Sequence, residues 1–203
     1  VKADKVPEKT EKLKEIKEEI IGLKKSPLYE YRSDNDYFPV IGEGAHDADL
    51  MVAGEAPGKN EAKTGRPFCG RAGKVLDEMF EEAGMERKKA YVTNIVKDRP
   101  PENRDPTPQE IDLYGPFLDR QIQIIEPEVI ATLGRFSANY MLEKFSFGEN
   151  FPISKIHGQI YKKESMSFKI IPLFHPAASI YSPDRKSDLI DDFKFVKEEL
   201  KKT

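Results

Sequence analysis

A chain of 203 residues, 38% hydrophobic and 34% charged, is long enough for one compact domain with a sizeable core. Its formal net charge of -3 gives no bulk basic signature, so any grip on phosphate needs a local patch. The single cysteine, Cys69, excludes an internal disulfide and an all-cysteine metal site, and no apolar run is long enough to span a bilayer.

From about Pro7 to Lys25 the chain is rich in Lys and Glu, with Leu13, Ile16, Ile20 and Leu23 at helical spacing. That pattern predicts an amphipathic helix with a solvated charged face. Residues 1–25 are set apart as this charged helix, and 26–203 are read as a single domain. Ser26-Pro27-Leu28-Tyr29 breaks the helix, and a loop with Asp34, Asn35, Asp36 and Pro39 runs to Gly42-Glu43-Gly44. Leu50–Ala53 predicts a buried parallel strand. It leads into Gly54-Glu55-Ala56-Pro57-Gly58, Glu61 and Gly65-Arg66-Pro67-Phe68-Cys69-Gly70, then a helix from about Gly73 to Ala83. A strand Tyr91–Val96, a proline-rich loop from Arg99 to Pro108 and a helix from about Gln109 to Ile125 follow, with Pro116 inside the last. Strand Val129–Leu133 ends at Gly134, and a helix spans about Ser137 to Glu143. Phe145 to Ser167 is irregular, strand Lys169–Phe174 ends at His175-Pro176, and a last helix covers about Lys186 to Lys202. Strands alternating with helices predict a three-layer α/β/α fold around a central, mainly parallel four-stranded sheet.

Ligands of such sheets bind at the carboxyl ends of the strands, and that edge is where the distinctive residues fall. Glu55 there is placed to orient or deprotonate a water, or to stabilise a cationic sugar; read alone it would be a loop or capping carboxylate. Glu61 is as well suited to holding the loop through backbone N–H groups as to a direct role. Phe68, between glycines, offers an aromatic face for stacking on a base, the alternative being a core plug. Cys69 reads as a small buried neighbour. Asn94 has one acceptor and two donors with which to read a base edge; alone it would be a turn residue. His175 is placed to donate to an oxygen gaining negative charge, against a structural histidine at a strand end. The three histidines, His46, His157 and His175, are too scattered for a zinc site. Arg66 and Arg71 near a helix start, and Lys97 and Arg104 around the proline loop, are candidate phosphate contacts, with Asn103 as support. Ser179-Ile180-Tyr181 reads as a wedge into a base stack or as an ordinary surface loop.

In their order and spacing these segments resemble the uracil-DNA glycosylase superfamily, most of all its family-four type. The resemblance rests on Gly42-Glu43-Gly44, Gly54-Glu55-Ala56-Pro57-Gly58, Gly65-Arg66-Pro67-Phe68, Tyr91-Val92-Thr93-Asn94-Ile95-Val96-Lys97, Arg99-Pro100-Pro101-Glu102-Asn103-Arg104-Asp105-Pro106 and His175-Pro176-Ala177. It implies that Glu55 handles the catalytic water and that Phe68 stacks on a uracil flipped out of DNA. Asn94 would read the polar edge of the uracil, His175 would stabilise its anion at O2, and Ala56 and Pro57 would shape the pocket. The implied activity is monofunctional hydrolysis of the N-glycosidic bond, leaving an abasic site for base excision repair. One departure is large. Family-four enzymes carry a four-iron four-sulfur cluster on four cysteines, and the corresponding positions here fall near Leu23, Ser26, Asp98 and Tyr114. The expectation is therefore a protein without cofactor or metal, since one thiolate cannot hold such a cluster. Its role in tying down the N-terminal segment would pass to packing. The expected partner is uracil-containing DNA, single- or double-stranded, acted on by a monomer with no membrane contact; further repair or replication partners are not indicated by any motif. With no signal peptide visible, a cytoplasmic, nucleoid-associated location is expected. Alternatives are a non-catalytic or slow uracil- or single-stranded-DNA binder, and a glycosylase for another deaminated base such as hypoxanthine.

Overall fold

The structure is a computed structural model in which residues 5–180 and 182–202 are described. Helix α1 (Val6–Ile21) has Pro7 in its first turn and turns Leu13, Ile16 and Ile20 inward. The i, i+3, i+7 spacing of these side chains accounts for the helix, and their packing against α5 holds it on the core. A short α2 (Tyr29–Asp34) follows, then strands β1 (Glu43–Gly44) and β2 (Leu50–Gly54), helices α3 (Lys59–Thr64) and α4 (Arg71–Glu82), and strand β3 (Tyr91–Asn94). Helix α5 (Pro108–Ile125) opens with a capping box in which Thr107 and Glu110 satisfy each other's backbone N–H, and it runs unbroken past Pro116. Strand β4 (Val129–Leu133), helices α6 (Arg135–Lys144) and α7 (Ile153–Ile156), strand β5 (Lys169–Leu173), and helices α8 (Pro176–Ser179) and α9 (Pro183–Leu200) complete the chain.

The strands lie in the order β1-β3-β2-β4-β5, with β2 to β5 parallel. The sheet has five strands where four are predicted. Glu43 and Gly44, expected as loop, pair antiparallel with Val92 and Tyr91 at the edge. Gly44 makes this possible: a Cβ there would lie 1.8 Å from the Ala90 carbonyl oxygen. Alternate residues of β2 serve opposite faces. Met51 and Ala53 join the cluster with Leu13, Ile16, Tyr114 and Ile122, while Leu50 and Val52 join that of Leu76, Phe80 and Phe193. Burial on both faces is why the strands read as continuous apolar runs. The six-residue helices α2 and α3 are too short to leave a periodic signal, and α9 starts earlier than predicted because Ser182 accepts from the Arg185 N–H and Pro183 occupies the first turn.

The positions that resemblance assigns to cluster ligands are occupied by a different device. Leu23 packs against the core. Ser26 Oγ and Tyr114 OH are 2.7 Å apart, and Tyr114 OH donates to Asp98 Oδ2 at 2.6 Å. Arg32 Nη1 donates to both Asp98 oxygens and to the Ile20 carbonyl, and Nη2 donates to the Ile21 carbonyl. These residues do not fit an iron–sulfur cluster: they offer no thiolate, and their polar atoms are spent on one another. The network joins the end of α1, α2, the segment after β3 and α5, all buried away from water.

Candidate active site

Four parallel strands end on one edge, so the residues that follow them gather there. Glu55 follows β2, Asn94 ends β3, Gly134 follows β4 and His175 follows β5. The chain leaves β2 for β3 on one side and reaches β4 on the other, which makes this edge a topological switch point. A cleft of about 450 Å³ opens there, lined by Glu55, Ala56, Pro57, Glu61, Phe68, Arg71, Asn94, Asn103, Arg104 and His175 among others. Of the predicted site residues these are brought together.

Burial pushes the Glu55 carboxyl up from 4.5 to about 7; a bond from the Phe136 amide at the start of α6 opposes the rise, Asp105 adds to it and Arg135 opposes it. Gly134, at φ +90°, lets Glu55 and His175 approach one another. A Cβ on it would lie 3.2 Å from His175 Cβ and 3.3 Å from the Glu55 carboxyl. Burial likewise pulls His175 down to about 4, with Glu61 opposing, so its ring is neutral at pH 7. The Ala177 N–H donates to His175 Nδ1 at 3.2 Å. That bond assigns Nδ1 as the acceptor and leaves the proton on Nε2, available to a ligand.

Phe68 is buried and held at φ +48°, an uncommon conformation for an aromatic residue. Arg87 maintains it, donating to the Phe68 and Pro67 carbonyls at 3.0 and 2.8 Å. The bare Cα of Gly73 allows the Phe68 carbonyl to sit where a Cβ would be 1.9 Å away. Glu61 Oε1 accepts from the Cys69 and Gly70 N–H groups at 3.0 and 2.9 Å, which fixes the turn into α4. Cys69, expected to be buried, is exposed because that turn points it outward toward Thr64. Gly54 provides the floor: a Cβ would lie 2.4 Å from Asn94 Oδ1 and 2.6 Å from Phe68 Cζ. Asn94 Oδ1 is buried and has no hydrogen-bond partner. A buried amide oxygen left unpaired is costly, and Asn94 is one of the residues that line the cleft.

Arg99 latches the proline loop. It donates to Asn103 Oδ1 at 2.7 Å and to the Tyr31 and Tyr37 hydroxyls at 3.0 and 2.9 Å. The Asn103 acceptor is thereby engaged, and Arg104 is held bidentately on the buried Glu110. Arg66 is exposed but likewise clamped on Glu43. Arg71, Lys74, Lys186 and Ile180 border a second shallow groove beside the cleft. Two expected phosphate or stack contacts are corrected. Lys97 is fully buried, because the chain beyond β3 stays on β2 through Ile95 N–H to Gly54 O and Val96 N–H to Glu55 O. Ser179 is buried and spends its hydroxyl on the Pro176 carbonyl. Tyr181 lies outside the described residues. Sequence reasoning misses Arg87; it places Arg99 in the basic proline loop and Gly134 at a strand end without their roles as latch and point of close approach. Only Gly134, directly after a strand, carried a local signal.

A family model described as the uracil DNA glycosylase superfamily matches residues 41–200. The chain is 47% identical over 190 residues to a type-4 uracil-DNA glycosylase of Sulfurisphaera tokodaii, covering 92% of this chain and 84% of that protein. It is 40% identical over 190 residues to one from Archaeoglobus fulgidus, covering 93% of each. The match to one from Thermotoga maritima is 39% over 165 residues, 80% of this chain and 83% of that protein.

Proposed function

The chain belongs to the uracil-DNA glycosylase superfamily, and from that premise we propose how the sheet-edge cleft does the work of excision. The protein is a uracil-DNA glycosylase of DNA repair, hydrolysing the bond between uracil and deoxyribose. A uracil turned out of the DNA stack enters the cleft and lies against Phe68, with Ala56 and Pro57 beside it. Its N3–H donates to Asn94 Oδ1, and the Asn94 amide donates to O4. A cytosine offers a lone pair at N3 and an amino group where uracil has O4, so the same amide orientation rejects it.

As the C1′–N1 bond breaks, its electron pair goes to the base and the sugar becomes cationic. His175 Nε2–H donates to O2 of the departing anion. A neutral imidazole suits this task, since it stabilises the charge without giving up its proton. Glu55, ionised, faces the sugar, stabilises its positive charge and accepts a proton from the water that adds to C1′. Glu55 then gives its proton to solvent and the uracil anion takes one up, so the products are free uracil and an abasic site. Binding of the strand falls to Arg71 and Lys74 along the adjacent groove, with Lys186, ion-paired to Glu78, and Ile180 on the same rim.

The observation that carries this reading is the buried, unpartnered Oδ1 of Asn94, a residue that lines the cleft with Phe68. Its test is base choice. Wild type should release uracil and leave cytosine in otherwise identical single-stranded oligonucleotides, and Asn94→Asp should erode that preference by at least about tenfold, as expected for one mispaired polar contact. Unchanged discrimination in Asn94→Asp would remove the role.

A further inference from the structure

Lys97 is a charged side chain with no access to solvent, and nothing in the chemistry above uses it. Its Nζ lies 2.8 Å from Thr93 Oγ1, 2.5 Å from the Asn94 carbonyl and 2.6 Å from Gln121 Oε1. The Asn94 carbonyl and Gln121 Oε1 each take a proton from the lysine, and Thr93 Oγ1 is placed to take the third. Thr93 Oγ1 commits its own hydrogen to the Ile41 carbonyl, at 2.7 Å. Gln121 Nε2 donates to the Ile41 carbonyl and the Tyr91 hydroxyl, which leaves Oε1 as an acceptor. A carbonyl only accepts. With the Thr93 hydrogen on the Ile41 carbonyl, three acceptors match the three protons of an ammonium. Burial pulls the lysine well below its ordinary range, whereas three oxygen acceptors within hydrogen-bond distance favour the charged form. No carboxylate of the described residues pairs with it.

We propose that Lys97 is a positioning residue whose buried ammonium holds Asn94 from behind and favours negative charge on the departing uracil. The proposal rests on the reading of Asn94 as the group that meets the base. The ammonium is bonded to the backbone carbonyl of that same residue, so it sits directly behind the wall that the base faces. Glu55 meets the sugar on the other side. A cation behind the base and a carboxylate at the sugar both favour the charge separation of the breaking bond. The low-polarity surroundings keep the field from being screened, as it would be at the surface.

The test compares two leaving groups. Single-turnover release of uracil and of 5-fluorouracil is measured for wild type and Lys97→Met, with thermal melts to check folding. The fluorinated anion is intrinsically more stable and needs less help. A unit charge acting over about 8 Å at an effective dielectric of about 20 changes a rate about thirtyfold. Lys97→Met should slow uracil release by about that factor, and 5-fluorouracil release several times less. Gln121→Glu gives a second route: it keeps the lysine and its acceptor but supplies a carboxylate that cancels the field, so the same selective loss on uracil is expected. If Lys97→Met does not fold, Gln121→Glu decides. Equal losses on both bases would reduce Lys97 to a structural prop and overturn the proposal, as would no loss. Wild type that releases neither base would instead refute the glycosylase reading on which the proposal stands.

Discussion

Lowering the pH should switch off excision through Glu55 well before the protein unfolds. The carboxyl titrates at about 7, chiefly because it is buried, and the mechanism uses its ionised form. Activity is then full above this value and falls as the proton returns, by about tenfold per pH unit, so that kcat/KM at pH 5 is about a hundredfold below its plateau. His175 titrates at about 4 and stays neutral throughout this range, so it adds no second limb there. The neighbours give the sign a further check. Asp105 raises Glu55 and Arg135 lowers it. Asp105→Asn should move the acid limb to lower pH, and Arg135→Gln should move it higher. The same carboxyl weakens the fold. It binds its proton more tightly folded, at about 7, than at its ordinary 4.5, so its cost is absent below 4.5 and complete above 7. That cost is up to about 3 kcal/mol. Glu55→Gln should therefore be inactive yet melt several degrees higher than wild type at pH 8, with no gain at pH 4. The assays are kcat/KM on a uracil-containing single strand from pH 5 to 9 and thermal melts at both ends. A level profile between pH 5 and 8, or a Glu55→Gln variant less stable at pH 8, would refute the reasoning.

Other outcomes follow from the same geometry. His175→Ala should reduce the single-turnover rate about 100- to 1000-fold, the cost of one preorganised donor to a developing anion, with little change in strand binding by gel shift. Phe68→Ala should lose about 1–3 kcal/mol of base capture, read as a raised KM, and Arg87→Ala should shift KM the same way by less, because it leaves the ring in place and releases the Pro67 and Phe68 carbonyls and the ion pair with Asp77. Asp98→Asn breaks the buried pair with Arg32 and should cost about 3–5 kcal/mol of stability in denaturant unfolding. Gly134→Ala should lower kcat by at least about tenfold, since its methyl group would push Glu55 and His175 apart at a positive φ.

The site was legible because parallel strands end on one edge. Once Leu50–Ala53, Tyr91–Val96, Val129–Leu133 and Lys169–Phe174 read as buried strands, Glu55, Asn94 and His175 had to lie near one another. The supports were less legible because their partners are distant or are backbone atoms. Arg87 holds carbonyls 19 and 20 residues away, and Arg99 reaches hydroxyls 68 and 62 residues away. Neither contact leaves a pattern in the local sequence. Lys97 misled for a related reason. A lysine just beyond a strand and before a proline loop reads as surface, but the continued pairing of Ile95 and Val96 with the backbone of Gly54 and Glu55 carries it inside. The cysteine count excluded a cluster without revealing that Arg32, Asp98, Tyr114 and Ser26 would close the same space with hydrogen bonds.

The most direct test is excision itself, scored on one end-labelled strand. Wild type and Glu55→Gln are incubated with a single-stranded oligonucleotide bearing one uracil, treated with alkali and resolved by length, with free uracil measured in parallel. Breaks at the uracil and matching release of the base by wild type, both lost in Glu55→Gln while that variant still retards the oligonucleotide, are the predicted result. Breaks that persist undiminished in Glu55→Gln, or wild type that binds the strand and releases no uracil, would contradict the account.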